Sequence, residues 1–130
     1  GHWSIVPSPN PAGDSALIAG FTLTGTQPRR VLIRAVGPSL AAFGVEGVLA
    51  DPVLTLFQEN TAIALNDDWE ISRSGAAVAA TAQRIGAFPL APESLDAALL
   101  ITLAPGSYTA TVTGTNGTTG LALVEVYDAD

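Results

Sequence analysis

Cysteine, methionine and lysine are all missing from this chain of 130 residues, and histidine occurs once. Without cysteine there are no disulfides and no thiolate metal ligands, so the fold has to stand on its core alone. Without lysine, all positive side-chain charge rests on five arginines, which face twelve acids for a net charge of −7. Such a chain repels a phosphate backbone, which argues against a nucleic-acid partner. The single histidine, His2, sits beside the first residue and is a poor candidate for a positioned catalytic base. No apolar run approaches the roughly 20 residues of a membrane helix, so no membrane insertion is expected. There is no Walker loop and no dinucleotide-binding glycine fingerprint.

What is present is enough for one globular domain spanning 1–130, with 48% hydrophobic residues and a length that supports a real core. Gly1-His2 reads as the remnant of a cleaved tag, and "GHWSIVPSPNPAGDS" has neither the basic nor the apolar region of a secretory signal. The domain is therefore expected to be a module of a longer chain, with neighbouring domains as partners.

Short runs rich in Val, Ile, Thr and Leu recur between Gly, Pro, Asn and Asp. Strands are expected at "ALIAGFTLTG", "RRVLIRAV", "PVLTLFQ", "TAIALN", "AALLITL", "SYTATVTG" and "GLALVEVYD", with "WSIV" as an extra edge strand. Three turns carry recognisable chemistry: "QENT", the Pro105-Gly106 pair of "APGS", and Asn116-Gly117 of "GTNGTTG". Each is expected to join adjacent antiparallel strands. The alanine-rich "SRSGAAVAATAQRI" places Val78, Ala82 and Ile85 at helical spacing and predicts one short helix around 73–85. A helical turn is expected at Ser39 to Phe43. Seven or eight strands with one helix predict an all-β, two-sheet antiparallel β-sandwich of jelly-roll type.

Two charges fall inside apolar strands. Arg34 shares a face with Leu32 and Val36, opposite Val31, Ile33 and Ala35, and Glu125 lies within "LALVEVY". Desolvating a lone charge costs several kcal/mol or more, so Arg34 is expected to form a structural ion pair with Glu125 or Asp51. A bidentate clamp for a ligand carboxylate is the functional alternative.

The segment "IALNDDWE" raises three readings. Asn66, Asp67 and Asp68 can cap the following helix. Asp67 and Asp68, joined by a distant acid such as Asp51 or Asp96, can supply oxygens to Ca2+, although the spacing is not that of an EF-hand. Trp69, if outward, offers a flat apolar face beside Asp68 for stacking a sugar ring, with Trp3 and Tyr108 as further candidate aromatics. Trp3, Tyr108 and Tyr127 can equally pack their rings on a sheet face with the polar tip outward.

Catalysis finds less support. Ser39 in "GPSLA" has Ala41 where a nucleophile elbow needs glycine, and no histidine is placed to activate it. Paired carboxylates can be drawn from any acidic chain and carry no signal by themselves. A non-catalytic role is expected.

The blocks "VLIRAVGPSLAAFGV…LADPVLTLF", "IALNDDW" and "LAPGSYTATVTGTNGTTGLALVEVYDAD" closely resemble a module of unassigned function repeated in large secreted or surface proteins of environmental bacteria. The resemblance runs from Ala16 to Asp130. The central "DPVLTLF…NDDW…LAPGSYTATV" is also similar to bacterial pre-peptidase C-terminal domains, β-sandwiches that accompany secreted hydrolases and can bind calcium and polymeric substrates. What these resemblances imply is a secreted accessory module, extracellular or at the cell surface, without naming its ligand; with Trp69 and its polar neighbours, the expected role is polysaccharide binding, or else that of a spacer or sorting module without a small ligand.

Overall fold

In the computed structural model the described residues are 2–5, 17–44, 46–67, 75–88, 90, 95–114 and 122–129. They form eight strands: β1 (His2–Ile5), β2 (Leu17–Leu23), β3 (Arg29–Val36), β4 (Pro52–Gln58), β5 (Thr61–Asn66), β6 (Ala97–Leu103), β7 (Gly106–Gly114) and β8 (Leu123–Asp128). One α-helix, α1 (Gly75–Ile85), and a 3-10 turn over Pro38–Phe43 complete the elements. The helix thus falls where its alanine-rich periodicity predicts it.

The strands divide into two four-stranded antiparallel sheets, ordered β1-β8-β3-β6 and β2-β7-β4-β5. The pairs β1·β8, β2·β7, β3·β6 and β4·β5 are those of one long hairpin wound on itself, and β3·β8 and β4·β7 close each sheet. This is the jelly-roll sandwich. Its winding corrects the expectation drawn from the turns. Among the described residues only the "QENT" turn makes a hairpin, with Gln58 opposite Thr61. The Pro105-Gly106 turn carries the chain from β6 in the first sheet to β7 in the second, and β7 likewise leads to β8 across the sandwich; Asn116-Gly117 lies outside the described residues. A turn reverses the chain, but which strand it then pairs with is decided by which sheet edge completes the core.

The two sheets bury Val31, Ile33, Leu54, Leu56, Tyr108, Val112, Val124 and Val126 between them. A second apolar cluster lies on the outer face of the first sheet, where Leu32, Val36, Ala98 and Tyr127 meet Val78 and Ala82 of α1 and Leu90 beyond it. That is why β3 and β8 read as nearly continuous apolar runs: both of their faces are covered. The β7 sequence "SYTATVT" alternates instead, because its Tyr108, Ala110 and Val112 point inward and its hydroxyl residues point out.

Candidate functional site: a buried ion pair and an uncharged sheet face

Arg34 is fully buried on the outer face of the first sheet, beneath the segment that follows α1. The β3·β8 register sets Glu125 directly opposite it. The guanidinium Nε and Nη2 both donate to Glu125 Oε1, at 2.9 and 2.6 Å, and Nη1 donates to the Phe88 carbonyl at 2.6 Å. The Phe88 ring lies over the cation at 4.4 Å and the Tyr127 ring at 5.8 Å, and Phe43 from the 3-10 turn packs edge-on against Phe88 at 5.0 Å. Tyr127 donates its hydroxyl to Glu125 Oε2. Burial, first, and then the hydrogen bond and charge of Glu125 push the Tyr127 phenol far above its ordinary value. Of the two partners expected for Arg34, the fold selects Glu125, so the guanidinium's charge is already matched within the protein.

Asp96, weighed in the sequence as a distant calcium ligand, is committed to the loop after β3. Its fully buried carboxylate accepts the Gly37 and Ser39 backbone N–H groups at 2.7 and 3.2 Å, together with the Ser39 hydroxyl. It therefore caps the 3-10 turn, satisfying N–H groups that the turn leaves open. Ser39 belongs to this cap and is buried. Gly37 is dictated by space, since a Cβ there would lie 2.1 Å from the Leu49 carbonyl oxygen.

Asn66 lies at the end of β5, nine residues before α1, and its side-chain oxygen is engaged away from the helix. Its buried Oδ1 accepts the Ala98 N–H at 3.0 Å, so it ties β5 of one sheet to β6 of the other. Asp67 follows β5 and Asp51 precedes β4, both half-buried. Asp68 and Trp69 lie outside the described residues. Among the described residues no three His, Cys, Asp or Glu side chains gather into a metal-holding group. Trp3 lies in β1, its backbone opposite Val126. Tyr108 is not a surface aromatic: it is buried between the sheets, its ring stacked on Phe21 at 5.6 Å and its hydroxyl donating to the Ala104 carbonyl at 2.6 Å. A strand that alternates strictly has no choice here, because outward threonines at 109 and 111 send residue 108 inward.

The outer face of the second sheet is the surface that single-residue reading missed. One row across all four strands runs Ile18, Thr111, Thr55, Leu65, and the next runs Gly20, Thr109, Phe57, Ala62. Thr22 and Ser107 continue it, their hydroxyls 3.2 Å apart, and Val53 lies opposite Thr113 at the other end. None of these positions carries a charge, although the chain has a net charge of −7. Ile18 and Leu65 are each 64% exposed at the two edges of their row. By strand spacing and rise, the face measures about 14 Å across by about 20 Å along. It alternates hydroxyls with apolar groups on a regular lattice. The signal in the sequence was the T-x-T-x-T of "TATVT", whose meaning depends on what β2, β4 and β5 set beside it.

The class defined by these features is a jelly-roll β-sandwich with one sheet roofed by a helix and the other presenting an uncharged face. No protein-family model matches the chain, and neither does any curated protein or solved structure. Among the described residues no helix is long and apolar enough to cross a membrane.

Proposed function

We propose that this domain is a non-catalytic module that binds a neutral polysaccharide on the outer face of its second sheet, as an accessory part of a secreted or cell-surface protein. The observation that carries the reading is the uncharged lattice of Thr55, Thr109 and Thr111 set among Ile18, Phe57 and Leu65. A sugar chain presents the same alternation, hydroxyls at its edges and C–H patches on its faces. It can dock here without stripping water from a charge, which would cost several kcal/mol or more. Large apolar side chains left exposed on an acidic chain, here Ile18 and Leu65, favour an interaction surface as well. The resemblance to modules of secreted bacterial proteins supports the same reading. Calcium, held by Asp67 and Asp68 with Asp51, and sugar stacking on Trp69 belong to this proposal as additions at the end of β5, not as its basis.

The test is retention on insoluble neutral polysaccharides, with and without EDTA, comparing the parent with Thr111→Asp, Phe57→Ala and Trp69→Ala. Retention that Thr111→Asp abolishes, in a domain that melts like the parent, supports the sheet face. Loss only in Trp69→Ala moves the site to Trp69, and loss in EDTA adds a metal to it. No retention on any polymer leaves the domain a spacer.

A further inference from the structure

The edge of a sheet is a row of backbone N–H and C=O groups without ladder partners, and folds ordinarily shorten it, break it or cover it. Among the described residues the two sheets end in four such strands, and three are treated in that way. β1 has only four residues. β5 is broken by a bulge opposite Leu56 and Phe57 and is flanked by Glu59 and Asp67. On β6 the Ala98 N–H is already taken by the Asn66 side chain. β2 has none of these devices. Its seven residues, "LIAGFTL", pair with β7 in unbroken register and include neither proline nor a charge. At about 3.4 Å per residue its free edge runs for about 24 Å. Ile18, 64% exposed, and the half-buried Phe21 both lie on it.

We propose that β2 pairs antiparallel with β2 of a second copy of this chain, about a two-fold axis at Gly20, joining the two second sheets into one sheet of eight strands. A row of open backbone groups is matched by another extended strand, and β2 is complementary to itself. In this register Gly20 faces its own copy, Ile18 faces Thr22 and Phe21 faces Ala19, so each large side chain rests on a smaller one on its own side of the sheet. Two chains of net charge −7 repel one another over most of their surface. Neither β2 nor the neighbouring β7 carries an acid, so along this edge they meet without opposing carboxylates. One strand edge is a small interface, and the dimer is accordingly weak and reversible. The axis stands perpendicular to the sheet, which makes the two uncharged outer faces continuous; the pairing itself does not depend on what that face binds.

The chain has no cysteine, so single cysteines report the register. At the two-fold axis the paired Cα atoms would lie about 4.5–5.5 Å apart, inside the range of about 4.4–6.8 Å that a disulfide spans. A Cβ added at Gly20 would meet only the Tyr108 carbonyl oxygen, at 3.9 Å, so the fold accepts a side chain there. Oxidised with copper phenanthroline, Gly20→Cys is expected to cross-link to a dimer at least about tenfold faster than Leu65→Cys, an exposed position on the opposite edge of the same sheet. Ile18→Cys should cross-link with Thr22→Cys in a mixture faster than either does alone. Sedimentation of the parent should show a reversible monomer–dimer equilibrium at or below about 1 mM chain. Gly20→Lys, which sets like charges face to face, should abolish it in a domain that melts like the parent, and an equal mixture of Gly20→Lys and Gly20→Glu should restore it. A parent that stays monomeric at about 1 mM overturns the proposal. So does a dimer that persists in Gly20→Lys, or cross-linking of Leu65→Cys as fast as that of Gly20→Cys.

Discussion

Replacing Glu125 by leucine should be the most damaging single change on the outer face of the first sheet, and it should cost more than replacing Arg34 by methionine. In Glu125→Leu the guanidinium loses both carboxylate bonds and its counter-charge, keeping the Phe88 carbonyl and the two aromatic rings. A buried pair broken on one side costs about 3–5 kcal/mol. The Tyr127 hydroxyl loses its acceptor in the same step, which adds about 1–3 kcal/mol. Arg34→Met leaves Glu125 still bonded to Tyr127, and an orphaned carboxylate can neutralise itself by taking up a proton, whereas a guanidinium cannot lose one. A domain of this size has about 5–15 kcal/mol in total, so Glu125→Leu uses about a quarter of it or more.

The double replacement Arg34→Met, Glu125→Leu should cost less than Glu125→Leu alone, because no buried charge remains, and adding Tyr127→Phe should recover most of what is left. Urea unfolding of the parent and the single, double and triple variants measures this directly, urea being preferred because it adds no screening salt. The expected coupling energy between positions 34 and 125 is about 3 kcal/mol or more. If each single change costs under about 1 kcal/mol and the two simply add, the pair behaves as a surface ion pair, and its account as a dry, shielded unit is refuted.

Tyr127 gives a pH signature. Because its folded-state pKa is raised, the unfolded chain releases the phenol proton first; the stabilisation is complete below pH 10 and is lost as pH climbs from there towards the folded value. The unfolding free energy from urea titrations should fall above pH 10 by up to about 1.4 kcal/mol per pH unit, and Tyr127→Phe should remove that share of the slope. Gly37→Ala should fail to give a native domain, or lose several kcal/mol in urea, because its methyl would lie 2.1 Å from the Leu49 carbonyl oxygen; Gly44→Ala, whose Cβ meets nothing within 4 Å but whose φ is +80°, should cost only about 1–2 kcal/mol.

These residues also show where a sequence is legible and where it is not. Which face of a strand a side chain occupies is a local, period-two property, so the split of Val31, Ile33 and Ala35 from Leu32, Arg34 and Val36 could be read directly, and both groups are buried as that split requires. Helix α1 was legible for the same reason, from spacing within one segment. Partnership is not local. Nothing near Arg34 separates Glu125 from Asp51; that choice is made 91 residues away, by the winding that brings β8 beside β3. Asp96 looked like one more acid until β6 began next to the Gly37–Ser39 backbone. Tyr108 looked like a surface ring until its outward neighbours joined rows that cross four strands. The threonine lattice is the extreme case. Its β7 portion is visible as alternation, but the property that suits it to a neutral polymer is the absence of charge across β2, β4, β5 and β7 together. Those strands come from both ends of the chain, and only the wound topology makes them neighbours. For a jelly roll, then, charge placed within a strand can be interpreted from sequence, whereas charge withheld from a whole face becomes visible only once the strand order is known.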